Sequence, residues 1–332
     1  MAISIEDIKK LRAMTGAGLA DVKKALTEAE GDFDKAKELL RERGLAIAAK
    51  RSDRETSNGC VLVKAVDGFA ATIALKCETD FVANGADFIA LTQSILDAAI
   101  AAKCQTLDEV KELTLADGQK VQDAVTQRSG ITGEKMELDG YLTLVGENIE
   151  IYDHMGKHML TTMVQTNKPA PEAGHKLAMQ IAAMKPIALD ASKMPQAVLD
   201  EEYNVAVQKT KEEQIEKAVN AAIKKAGINP AHVDSEDHME SNMAKGWITA
   251  EDVAKAKEII ATVSAEKAAN LPQQMIENIA KGRVAKFLKE NCLVDQEFQF
   301  GDGDKQTVAQ WLSAQDKELA IVDFKRFTLV AE

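Results

Sequence analysis

The stretch Phe69-Ala70-Ala71-Thr72-Ile73-Ala74-Leu75-Lys76-Cys77-Glu78-Thr79-Asp80-Phe81-Val82 carries a strand into a helix. Its first half sets bulky apolar residues at alternate positions, the period of a pleated strand. A helix-like run from Phe88 to Ala102 leaves it. A large aromatic beside an acid therefore falls on the joint between two elements, and such joints lie at the surface, where function concentrates. The plainer reading of the same residues is structural. Thr79 caps the helix, Asp80 is favoured by the helix dipole, and Phe81 tucks underneath.

Upstream, Val61, Val63 and Ala65 alternate before Asp67-Gly68, a strong hairpin turn, so two antiparallel strands are expected. Before them the period is helical. Ser4 with Asp7 is a capping pair ahead of the face Ile5, Ile8, Leu11. Thr15-Gly16-Ala17-Gly18 makes a tight connection to Leu19, Val22, Ala25 and Leu26. Gly31-Asp32 stops that helix and starts another through Phe33, Ala36, Leu39 and Leu40. Three helices this short must share one core.

Downstream, helix is expected from Phe88 to about Gln127, strands between Gly130 and Gln165, and a helix over Gly174 to Ala183 ended by Lys185-Pro186. Ile215, Val219, Ala222, Ile223 and then Val253, Ala256, Ile260, Val263 mark two helical stripes, the second capped by Thr249 with Asp252. They form a coiled-coil-like hairpin. After a helix over Leu271 to Leu288, the chain closes with a strand-like Phe298 to Phe300, a turn at Gly301-Asp302-Gly303-Asp304, a helix near Val308 to Leu312 and a strand from Ile321 to Val330. Strands on both sides of the helical section make the hairpin an excursion from a core to which the end of the chain returns. The expected organisation is a bundle at 1–45, a linker at 46–57, a core subdomain at 58–130, a second subdomain begun at 131–195, the hairpin at 196–277 and the return segment at 278–332. The fold class is α+β.

Composition narrows the function. Forty-one basic against fifty-three acidic residues leave a net charge of −12, which opposes binding to phosphate backbones, so no direct nucleic-acid partner is expected. The basic patch from Lys50 to Arg54 is interrupted by Asp53 and reads as a solvated linker. No apolar run is long enough to span a membrane. The start lacks a positive region followed by an apolar core, and four scattered cysteines make no CxxC pair, so a reducing cytoplasm is expected. There is no GxxxxGK[ST], no GxGxxG and no GxSxG. His154 and His158 are four apart but sit in a strand-and-turn region without HExxH, so no metal site is assigned. No enzyme, cofactor or resident metal is expected.

Thr15-Gly16-Ala17-Gly18-Leu19 followed by Asp21-Val22-Lys23-Lys24-Ala25-Leu26 resembles the N-terminal motif of the elongation factor Ts family. Cys77-Glu78-Thr79-Asp80-Phe81-Val82-Ala83 resembles its second. Gly133-Glu134-Lys135-Met136, Tyr152-Asp153-His154, Ala178-Met179-Gln180-Ile181-Ala182-Ala183, Gly282-Arg283 with Lys286-Phe287, Gln296-Glu297-Phe298, Thr307-Val308 and Phe324-Lys325-Arg326-Phe327 follow in the family's order. The resemblance covers nearly the whole chain. It implies a ubiquitin-associated-like three-helix bundle, an α/β core of two subdomains with antiparallel sheets, and a helical hairpin inserted in that core. It also implies a guanine-nucleotide exchange factor of translation elongation, whose partner is elongation factor Tu in its GDP-bound and nucleotide-free states. By resemblance, Thr79, Asp80, Phe81 and Val82 displace the partner's Mg2+, with Phe81 as wedge, Asp80 bonding to the displaced elements or disturbing the Mg2+ electrostatically, and Thr79 and Val82 holding the turn. Arg12 and Leu19 are secondary contacts. A homodimer or 2:2 complex stays open. An adaptor that holds helical or ubiquitin-like ligands through the bundle is the alternative. Two departures stand out: Lys211 to Glu277 is longer than in short-hairpin members, and no C-terminal helical module is expected after Phe327.

Overall fold

The computed structural model describes residues 3–15, 17–51, 53–301 and 305–330. Gly16 of the first loop and residues 302–304 of the turn expected after Gly301 lie outside them. Among the described residues the chain forms thirteen α-helices and two three-stranded sheets. They divide into one compact unit of residues 1–185 and 297–332 and a second of Pro186–Gln296.

In the first unit, α1 (Ile5–Thr15), α2 (Leu19–Glu28) and α3 (Phe33–Ala49) form the N-terminal bundle. Leu11, Val22, Ala25, Leu26 and Ala36 are buried together, which gives three amphipathic stripes one shared core. Ser4 and Asp7 cap α1 as expected, with the Asp7 N–H donating to Ser4 Oγ at 3.0 Å.

Strands β1 (Asn58–Val66) and β2 (Phe69–Cys77) pair antiparallel, with Val66 opposite Phe69. That register leaves a two-residue turn, and Asp67 and Gly68 occupy it with φ of 46° and 74°. Next come α4 (Asp80–Ala83), α5 (Ala86–Ala102), α6 (Leu107–Lys111), α7 (Val121–Thr132) and β3 (Met136–Val145). β2 is the central strand and is buried on both faces. Phe69, Ile73, Leu75 and Cys77 pack with Phe88, Ile95, Leu96 and Ala99 of α5. The small residues between them serve the other face, where Ala70 joins Leu144 and Met163.

That other face carries the second sheet: β4 (Ile149–Asp153) and β5 (Leu160–Thr166), then, after the excursion, β6 (Ile321–Thr328), in the order β4-β5-β6. The hydroxyls of Thr72 and Thr161 meet at 2.7 Å between the sheets. Gly140 is required there, since a Cβ on it would lie 2.3 Å from the Phe327 ring. α8 (Pro171–Met184) covers the second sheet through Leu177, Ala178 and Ile181, and the Thr162 hydroxyl donates to the Ala178 carbonyl at 2.9 Å.

The second unit is helical: α9 (Gln196–Lys225), α10 (Glu236–Ala244), α11 (Ala250–Ala269) and α12 (Gln273–Asn291). Both α11 and α12 pack on α9. Val219, Ile223, Val233, Met239 and Ala256 share a buried cluster that extends the expected hairpin with the turn and α10. Thr249 and Asp252 form the capping box expected from the sequence. No helix among the described residues is long and apolar enough to cross a membrane.

The chain re-enters the first unit at Glu297 and continues through α13 (Val308–Gln315) to β6. Phe298 to Phe300, expected as a strand, forms none; an isolated bridge between Glu297 and Thr307 precedes it. The Phe298 ring instead stacks on Trp311 at 4.0 Å, so aromatic packing holds this segment and no ladder forms.

Candidate functional site

β2 ends at Cys77, and α4 is a single turn. Thr79 is its N-cap, with φ −120° and ψ 154°, and its hydroxyl accepts the Val82 N–H at 3.3 Å. The turn closes through the Asn84 side-chain amide, which donates to the Asp80 carbonyl at 2.9 Å. Gly85 then starts α5. Ala83 is buried and Val82 packs partly against the sheet-and-helix core. With those two turned inward, a 100° step per residue turns Phe81 outward. Its ring is 87% exposed, the highest value for a large apolar side chain among the described residues. The reading in which Phe81 tucks beneath the helix is thereby corrected: Val82 and Ala83 take the inward positions and leave no room for a benzyl group. Asp80 is exposed beside it.

The turn is held by the segment that enters β3, which is distant in sequence but pairs beside the end of β2, with Met136 opposite Cys77. The N–H groups of Glu78 and Thr79 donate to Glu134 Oε2 at 3.2 and 3.1 Å, and the Thr79 hydroxyl donates to Glu134 Oε1 at 2.6 Å. In return Glu78 Oε1 accepts the Lys135 N–H at 2.6 Å, and Arg54 donates to Glu78 Oε2 at 2.9 Å. The Lys135 N–H, and then Arg54, hold the Glu78 carboxyl below its usual range. The Cys77 thiol, which donates to the Thr79 carbonyl at 3.2 Å, is pushed up to about 12, first by burial and then by the Glu134 charge. It is not a nucleophile at neutral pH.

Sequence reasoning named Thr79, Asp80, Phe81 and Val82, and the structure gathers them on one turn. It missed the role of Glu134, although Gly133-Glu134-Lys135-Met136 had been noted as a motif. Nothing in local spacing ties a residue to a turn 55 positions away. Arg54, read as part of a solvated linker, is paired to Glu78. Arg12 and Leu19 are exposed on α1 and α2, and the hydrogen bonds that order the Phe81 turn involve neither. Beside the bundle, Met14 and Thr15 line an open cleft of about 380 Å³ with Asp87, Ala90, Leu91 and Ser94 of α5. His158 is bound to Asp153 at 2.5 Å, and His154 lies 3.3 Å from the Tyr152 hydroxyl. Among the described residues no three His, Cys, Asp or Glu side chains converge to hold a metal.

An exposed aromatic on a clamped turn suits contact with another protein. Similarity to known proteins agrees. The model of the family described as elongation factor TS matches residues 78–231 and 216–331. The chain is 65% identical over 332 residues to the elongation factor Ts of Parabacteroides distasonis and to that of Phocaeicola vulgatus, with 100% of each chain covered. That of Porphyromonas gingivalis is 38% identical, again over 100% of both chains. The chain belongs to the elongation factor Ts family. It is thus a translation elongation factor with exchange-factor function. The family model begins at Glu78, so for the bundle it is the full-length elongation factor Ts relatives that carry the match.

Proposed function

We propose that this protein binds elongation factor Tu in its GDP-bound state, displaces the Mg2+ of that partner's nucleotide site and drives exchange of GDP for GTP during elongation. Thr79, Asp80, Phe81 and Val82 are the residues that do this. The observation that carries the reading is the 87% exposure of Phe81 on a turn braced by Glu134. A soluble protein has little reason to hold a rigid aromatic in water unless a partner covers it.

In GTPases, Mg2+ bridges nucleotide phosphate oxygens and protein side chains. Prying the surrounding elements apart removes the ion and leaves phosphate charge unneutralised. Phe81 enters as the wedge, and Asp80 bonds to the displaced elements or disturbs the cation electrostatically. Thr79 and Val82 keep the turn in shape. Burying Phe81 contributes roughly 1.5–3 kcal/mol. An acceleration of ~10⁴ requires about 5.5 kcal/mol, so a wider interface supplies the rest. The bundle, with Arg12 and Leu19 exposed, and the later core are the candidates for that share. A net charge of −12 suits a protein partner in the cytoplasm better than RNA. The adaptor alternative draws less support, because α3 of the bundle is already packed on α7.

Coupling between sites is reciprocal, so GDP must weaken this protein's grip as much as the protein weakens GDP. The purified chain, mixed with elongation factor Tu carrying a fluorescent GDP analogue, is expected to accelerate release. Excess GDP is expected to dissociate the resulting complex on a sizing column. A complex indifferent to GDP would end the proposal.

A further inference from the structure

We propose that Glu134 is a positioning residue of exchange: its carboxylate locks the turn that carries Phe81, so the ring meets the partner already held in place. This rests on the exchange reading above. A four-residue helix has no intrinsic stability. α4 is ordered because the backbone that enters it is held. Glu134 takes the N–H groups of Glu78 and of the N-cap Thr79 on one oxygen and the Thr79 hydroxyl on the other. The same hydroxyl accepts the Val82 N–H, so one chain of bonds runs from Glu134 through Thr79 to the residue after Phe81. An anion at this end of the turn also faces its positive dipole end.

Glu134 is itself fixed. It follows Gly133, the left-handed cap of α7, and the Ser129 hydroxyl donates to its carbonyl at 2.5 Å. α7 is braced in turn by Arg128, paired to Asp87 at 2.7 Å, and by α3, where Gly44 approaches Gly130 too closely for Gly130 to carry a Cβ. Glu78 returns the clasp by accepting the Lys135 N–H. Two backbone segments thus each present a carboxylate to the other's amides. If Glu134 is removed, the amides turn to water and the turn orders only on binding, at the expense of the wedge.

The test is stopped-flow release of a fluorescent GDP analogue from elongation factor Tu across a range of factor concentrations. The full-length chain is compared with Glu134→Ala, Glu134→Gln, Thr79→Val, Phe81→Ala and the Phe81→Ala doubles, each checked for a native melting transition. Glu134→Ala is expected to lower the release rate at saturating factor roughly 10-fold, the scale of one charge-assisted hydrogen bond. Glu134→Gln recovers most of the rate, because its amide oxygen still accepts both N–H groups. Combined with Phe81→Ala, Glu134→Ala costs less than 2-fold more, since a residue acting through Phe81 has nothing left to position. Thr79→Val behaves the same way and decides the matter if Glu134→Ala melts early. Multiplicative losses, or an unchanged rate in Glu134→Ala, overturn the positioning role while leaving the wedge intact. An unchanged rate in Phe81→Ala alone overturns both.

Discussion

Replacing Phe81 by alanine separates folding from function more cleanly than any other change in this chain. The ring is 87% exposed, so its removal uncovers almost no buried surface and leaves the core under Val82 and Ala83 untouched. The fold should lose no more than about 0.5 kcal/mol, as for other surface changes. In the proposed complex the same ring would pass from water into an apolar contact worth roughly 1.5–3 kcal/mol. At about 1.36 kcal/mol per factor of ten, its loss slows release roughly 10- to 150-fold. The range falls short of the full acceleration, so residual exchange by the variant is part of the expectation. The assay is stopped-flow fluorescence of labelled GDP leaving elongation factor Tu at saturating factor, beside a melting curve. Release at the unaltered rate with a normal melting curve would refute the wedge argument. Slow release with a melting point many degrees lower would refute the claim that Phe81 has no part in the fold.

Three further expectations follow from packing and charge. A Cβ on Gly130 would lie 2.4 Å from the Gly44 Cα, so Gly130→Ala should force α3 and α7 apart and cost about 1–3 kcal/mol, read as a lowered melting temperature. An unchanged melting temperature would show that the crossing is loose. Glu78 is held below its ordinary 4.5 by the Lys135 N–H and then Arg54. A depressed folded value contributes stability that is present above the unfolded value and lost as pH falls through the folded one. Glu78→Gln should therefore weaken the protein at pH 7 and matter progressively less as pH falls below 4.5, measured by urea unfolding; equal penalties at pH 7 and pH 3 would contradict this. Burial pushes the Cys60 and Cys77 thiols up to about 12, and Cys104 and Cys292 are raised and buried too. A thiol reagent at pH 8 should label the native protein very slowly and all four cysteines once guanidinium unfolds it. Rapid labelling of the native chain would show that the core around β2 opens.

The local elements were legible because their causes are local. Alternation over Phe69 to Leu75 and the Asp67-Gly68 turn specify a hairpin within twenty residues, and the positive φ at both turn positions bears that out. Thr249 with Asp252, and Thr79 before α4, cap helices through bonds three residues long. The return of the chain end was readable too, since strand-like segments flank the helical excursion, and β6 does pair with β5. Phe298 to Phe300 misled because alternating aromatics suit a strand and a stacked cluster equally, and only Trp311 beyond them decides which forms.

For the site, chemistry-bearing residues could be named from the chain, but not what orients them. Whether Phe81 points inward or outward depends on Val82 and Ala83 filling the space over β2. The acid that fixes Thr79 arrives from the far end of α7. α7 in turn takes its place from a crossing with α3 at Gly44 and Gly130. Periodicity and capping act between near neighbours and are written into the order of residues. Orientation is set by which distant surfaces exclude one another, and that is settled only when the chain has closed on itself.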